Sequence, residues 1–268
     1  MERQTSIRGQ GSSGLIELLI SALLLLGPVA APTAQAPANT GNHPSTAAEE
    51  YQALAKEYEV AREEFSNAYQ RAKTDAEREK AMAKYPQPGK YAPRFLAFAR
   101  KNPKDPAAID ALVWVAVYSR SGAEFDEAMK LLAADYVGSD KLGPVCQSLI
   151  YSSSPESETF LRRVLAKNPS KEVQGTACLS LGQLLKRQSG KSGNEAEKLF
   201  ERVVAKYGDV AAGRGTLADA AKAELFELRN LAIGKTAPEI EGEDVEGKKF
   251  KLSDYRGKVV VLDFWGDW

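Results

Sequence analysis

Residues able to do nucleophilic or metal chemistry are scarce in this chain. There is one histidine, His43, and there are two cysteines, Cys146 and Cys178. They cannot fill a Cys/His zinc site of the four-ligand kind, and no metal site or organic cofactor is expected. A Ser-His-Asp or Cys-His enzyme would depend on His43, which sits in a Pro-, Ser- and Thr-rich stretch, so that class is set aside. The cysteines form no C-x-x-C pair, and nothing beside them in sequence would activate a thiol. A disulfide between Cys146 and Cys178 is one reading in an oxidising compartment. Two buried free thiols is the other, favoured because each lies in an apolar stretch, V-C-Q-S-L-I and A-C-L-S-L.

The 268 residues carry 36 Lys plus Arg against 36 Asp plus Glu. A nucleic-acid binder would carry a basic surplus, so no nucleic-acid partner is expected. Hydrophobic residues at 43% and charged ones at 27% describe a globular chain.

Residues 1–38 read as a secretory signal peptide. Arg3 and Arg8 precede an apolar run from Leu18 to Leu26, and Ala36-Pro37-Ala38 fits a small-residue cleavage site. The run is short for a membrane span, so membrane attachment is expected only if the signal stays uncleaved. With no cysteine after the run, no lipoprotein anchor is expected. The body of the protein is thus placed in the periplasm or cell envelope. Residues 39–46 read as a linker.

Residues 47–85 read as one long charged amphipathic helix. Tyr51, Leu54, Tyr58, Ala61, Phe65, Ala68 and Ala72 recur at alternating steps of three and four, and Pro86, Pro88 and Gly89 end it. The stripe is poor in Leu, which favours packing on its own domain over a coiled-coil stalk.

Residues 91–231 read as helix pairs. Trp114, Cys146 and Cys178 recur every 32 residues within apolar stretches, and Asn102-Pro103 is echoed by Asn168-Pro169. A period in the low thirties with two helices per unit resembles tetratricopeptide repeats, though the full consensus is absent. Cys146 and Cys178 then occupy equivalent positions on stacked helices. Such positions sit nearer the helix spacing of about 8–10 Å than the roughly 7 Å Cα limit for a disulfide. A partner protein on the repeats is the function such a unit would add.

The densest signal lies in residues 233–268. Gly234 to Pro238 reads as a loop. A hairpin is expected from Glu239–Val245 and Lys248–Leu252 around Glu246-Gly247, then a helical turn capped by Ser253. Val259–Leu262 is apolar on both faces, as in a central strand of an α/β sheet. These elements, G-K-T-A-P, E-G-K, L-S-D-Y-R-G-K and V-V-V-L-D-F-W, resemble in order the start of a thioredoxin-fold redox domain. The kind is that of TlpA-like thiol-disulfide oxidoreductases and the AhpC/TSA redoxins. The fold expected is therefore mostly α, with TPR-like helical hairpin repeats, followed by the truncated start of an α/β thioredoxin fold.

In that family a W-C-x-x-C site follows the strand. The resemblance implies thiol-disulfide exchange with protein thiols and disulfides, through a cysteine pair expected directly after Trp268. No catalytic residue is then present, and the chain as it stands is expected to be inactive. The resemblance aligns Asp263 with a buried carboxylate that helps move the resolving thiol's proton; a solvent-exposed strand-end Asp is the alternative. Trp265 and Trp268 match aromatic positions flanking the site. A UGA codon meant for selenocysteine is one origin of an ending at Trp268; a nonsense mutation, a sequence gap and a degenerate family member are the others. Rival functions are a non-catalytic envelope interaction module with a vestigial redox domain, and an AhpC/TSA-type peroxidase. Without the rest of a sheet, Glu239–Trp268 is expected to be poorly ordered or prone to aggregate.

Overall fold

A computed structural model of the chain describes residues 46–188, 193–231 and 234–263. The expected signal peptide and all of the expected linker but Thr46 lie outside them. The described residues fall into a helical unit within His43–Ile233 and a C-terminal unit that takes in Gly234–Trp268.

The helical unit opens with α1 (Ala47–Arg71). Thr46 and Glu49 cap it reciprocally: Thr46 Oγ1 accepts from the Glu49 amide at 3.3 Å, and the Glu49 carboxylate accepts from the Thr46 amide at 2.8 Å. The single helix expected over 47–85 is in fact two. Ala72 is extended at φ −68° and ψ 120°, and a second helix, α2 (Asp75–Met82), starts from Thr74. Thr74 and Glu77 form another capping box, with Glu77 also accepting from the Lys73 amide at 2.7 Å. A T-x-x-E start signal therefore outweighs the absence of Gly and Pro, because the alanines at that end of the stripe bury too little to hold the helix on.

Eight helices follow: α3 (Pro88–Lys101), α4 (Pro106–Tyr118), α5 (Ala123–Asp135), α6 (Gly143–Ser148), α7 (Pro155–Lys167), α8 (Lys171–Arg187), α9 (Gly193–Tyr207) and α10 (Leu217–Phe226). Proline at the first turn with Asp105 or Ser154 as cap fixes the starts of α4 and α7. Helix α1 packs on α2, α3 on α4, α4 on α5, α7 on α8, α8 on α9 and α9 on α10. In addition α3, α5 and α7 pack in turn along one layer, and α4, α6, α8 and α10 along a second. Trp114, Cys146 and Cys178 fall on α4, α6 and α8 of that second layer, all buried. Asn168 ties one helix pair to the next. Its side-chain amide donates to the Val137 and Ser139 carbonyls at 2.8 Å each, and its oxygen accepts from the Ser170 amide. The chain is thus mostly helical, with sheet confined among the described residues to two small hairpins. The first, β1 (Ala211–Ala212) with β2 (Gly215–Thr216), has no counterpart in the sequence reading.

Gly175 on α8 marks a close approach. A Cβ there would stand 2.7 Å from Leu217 Cδ1 and 2.8 Å from Tyr207 Cβ. Helix propensity favours alanine by about 1 kcal/mol, whereas overpacking a core costs about 1–3 kcal/mol. Tyr207 Cβ cannot swing aside, so Gly175→Ala is expected to lower stability by roughly 1 kcal/mol net. A gain in urea midpoint would contradict this close packing.

Candidate functional site

The C-terminal unit is built on a hairpin. Strand β3 (Glu241–Glu243) pairs antiparallel with β4 (Lys249–Lys251), placing Glu241 opposite Lys251 and Gly242 opposite Phe250. The strands are shorter than expected because Asp244 already belongs to the turn. Its carboxylate accepts from the Glu246 and Lys248 amides at 3.0 and 2.9 Å, and Gly247 takes φ +77°. Across the pair Lys251 Nζ meets Glu241 at 2.5 Å.

A 3₁₀ turn, Leu252–Tyr255, follows. Ser253 does not cap it, contrary to the sequence reading: Asp254 accepts from the Lys251 amide at 2.9 Å instead. The Ser253 amide donates back to Glu239 Oε1 at 2.9 Å, and the Leu252 amide donates to the Ile240 carbonyl. Hydrogen bonds from Ser253, side chain before backbone, hold the exposed Glu239 carboxyl below its usual range. This 14-residue closure has no local sequence signal. Tyr255 completes the turn, with its ring edge-on to Phe250 at 6.4 Å and Lys258 Nζ 5.8 Å from its centroid.

Val259–Leu262, read as a central strand, is not one. The run is unpaired and bare on both faces, with Val259 and Val261 at 96% and 86% exposure and Val260 and Leu262 at 41% and 47%. Its composition suits a strand buried on both sides, but a ladder needs neighbours, and among the described residues none is offered. Asp263 is exposed at the end of this run, the alternative to the buried carboxylate. Trp265 and Trp268 lie outside the described residues.

The cysteines belong to the other unit. Cys146 and Cys178 are both free and both buried, so the candidate disulfide is not formed. Burial pushes the Cys146 thiol up to about 12 and the Cys178 thiol up to about 11, the pull of Arg202 and Lys206 on the latter being weaker than its desolvation. Cys178 Sγ lies 3.5 Å from the Leu199 carbonyl oxygen, to which it donates. Among the described residues no group of three or more His, Cys, Asp or Glu is placed to hold a metal ion, and no helix is long and apolar enough to cross a membrane.

The hairpin, the turn closed back onto it and the bare apolar run are the opening elements of a redoxin domain. Residues 233–268 match the AhpC/TSA family and carry part of such a domain. The chain is similar to the thiol-disulfide oxidoreductase ResA of Geobacillus thermodenitrificans (strain NG80-2), 53% identical over 42 residues, which is 16% of this chain and 24% of that protein. The ResA of Bacillus anthracis gives the same figures, and that of Bacillus subtilis (strain 168) is 46% identical over 39 residues, 15% of this chain and 22% of that one. The chain spans about a quarter of the length of the curated relatives it matches. No solved structure matches it significantly.

Proposed function

We propose that the protein is an exported thiol-disulfide oxidoreductase of the redoxin type, with TPR-like helical repeats that dock a protein partner. The observation that carries this reading is the similarity of the C-terminal segment to thiol-disulfide oxidoreductases, dense and in order. The sequence pattern of residues 1–38 supports export, and the two-layer helical packing supports the repeat reading.

The reaction would use a pair directly after Trp268, either Cys-x-x-Cys or selenocysteine-x-x-Cys. The first member attacks a protein disulfide as the thiolate or selenolate, forming a mixed disulfide and releasing one substrate thiol. The second, deprotonated, attacks the mixed bond and releases the other, leaving the pair oxidised. Trp265 and Trp268 would flank the site as structural or substrate-contacting aromatics, not as reactive groups. Asp263, exposed in the hairpin unit alone, would be covered once the strand before it is flanked, and would then help move the second thiol's proton.

The gene beyond codon 268 tests this. A Cys or in-frame TGA codon, then two residues, Cys and a thioredoxin-like remainder, is the expected result. A proline-rich loop with a lone cysteine would instead make the protein a peroxidase, and a decayed frame would leave the helical unit as its function.

A further inference from the structure

Ion pairs cross between several helices of the helical unit. Glu50 and Glu57 of α1 meet Lys101 and Arg94 of α3 at 3.0 and 2.7 Å, and Arg100 of α3 meets Glu127 of α5. Further along, Arg162 of α7 meets Glu195 of α9 at 2.8 Å. Arg229, in the turn after α10, meets Glu197 and Glu201 of α9 at 2.6 and 2.5 Å. Between α5 and α7, among the described residues, no ion pair is made. A groove of about 180 Å³ lies there instead.

Its floor is apolar, from Met129 and Phe160, both buried, with Ala133 beside them. Its lips carry two exposed cations, Lys130 of α5 and Arg163 of α7, neither in an ion pair among the described residues. The volume is well below the roughly 300–1,000 Å³ of small-molecule sites; it fits one or two side chains. Glu156 also lines the groove. It stands seven residues before Arg163, about 10 Å up α7 at helical rise, where the N-terminal dipole favours a carboxylate. Arg163 is therefore left for an anion from outside.

We propose that the α5–α7 groove docks an acidic segment of a partner protein. A partner carboxylate sits between Lys130 and Arg163, and a neighbouring aliphatic side chain rests on Met129 and Phe160. Charge complementarity chooses the occupant: the two cations beside the apolar floor, Lys130 and Arg163, make no ion pair among the described residues and would be neutralised by a carboxylate from outside. This deepens the docking reading of the helical unit and rests on it.

The test is fluorescence anisotropy with the full chain and labelled acetyl-Asp-Glu-Leu-Asp-Glu-amide, against the same peptide with Asn and Gln for Asp and Glu. The acidic peptide is expected to bind more tightly than the neutral one and to weaken with salt. Lys130→Glu and Arg163→Glu should each weaken it roughly tenfold, as loss of a charge-assisted hydrogen bond does. Lys56→Glu, exposed on α1, should leave it unchanged, and Thr159→Trp should block the groove with both cations intact. Equal loss at all three charge reversals would reduce the effect to diffuse charge and overturn the groove. Acidic-peptide affinity indifferent to Lys130, Arg163 and Thr159 would overturn it while leaving docking on another face. Failure to bind the acidic peptide would overturn the groove alone, since a partner docked on another face of the helical unit needs no acidic segment.

Discussion

Trp114→Ala is expected to remove about 3–5 kcal/mol of stability, the usual loss for truncating a buried aromatic. That is a large part of the roughly 5–15 kcal/mol that holds a domain folded. Trp114 stacks on Phe95 at 4.0 Å and on Tyr118 at 5.0 Å, and meets Tyr58 edge-on at 4.8 Å. Tyr58 is the anchor of α1, buried to 1% exposure and also edge-on to Tyr91 and Tyr118. One indole thus joins α1, α3 and α4, and its removal leaves a cavity that three helices would have to close together. Urea unfolding followed by circular dichroism measures the loss, and Trp114→Phe should recover much of it. A loss for Trp114→Ala below about 1 kcal/mol would mean that α1 is held by other contacts.

The helices were legible in the sequence where burial is strong and local. The step of three and four in α1 places Leu54 and Tyr58 against the unit, and the period of 32 places Trp114, Cys146 and Cys178 in one layer. The break at Ala72 was written in Thr74 and Glu77, but as a capping signal inside a helix-forming stretch, where composition spoke louder. The β1–β2 pair was hidden because Ala-Ala and Gly-Thr have no alternation to read; its turn rests on Gly213 at φ +59°. The α5–α7 groove was invisible too, since it depends on which exposed cations are left unpaired across two helices. In the C-terminal unit the hairpin followed from its turn chemistry, and Val259–Leu262 shows the limit of such reading. Four apolar residues specify what a strand needs on its faces, whereas pairing depends on chain elsewhere.

The 268-residue chain is expected to reduce insulin disulfides no faster than the dithiothreitol supplied. With thiols raised to about 12 and about 11, the thiolate fractions of Cys146 and Cys178 at pH 7 are about 10⁻⁵ and 10⁻⁴, against a few per cent for an ordinary thiol. Both are also sealed within helical packing, so an aromatic disulfide reagent should titrate them only after denaturation. A chain carried past Trp268 with its redox pair should turn over, because such pairs ionise near or below neutral pH. Cys146→Ala with Cys178→Ala should leave that turnover unchanged. The same shifts set an alkaline limit on the fold. A thiol raised in the folded state adds stability that is whole below the unfolded value near 8.5 and is lost as pH rises toward the folded one. Across that window each thiol should tilt stability by about 1.4 kcal/mol per pH unit. The double alanine variant should therefore show a flatter fall in stability between about pH 9 and 11. Disulfide reduction by the 268-residue chain that disappears in this variant would move the chemistry into the helical unit and sink the assignment of the pair beyond Trp268.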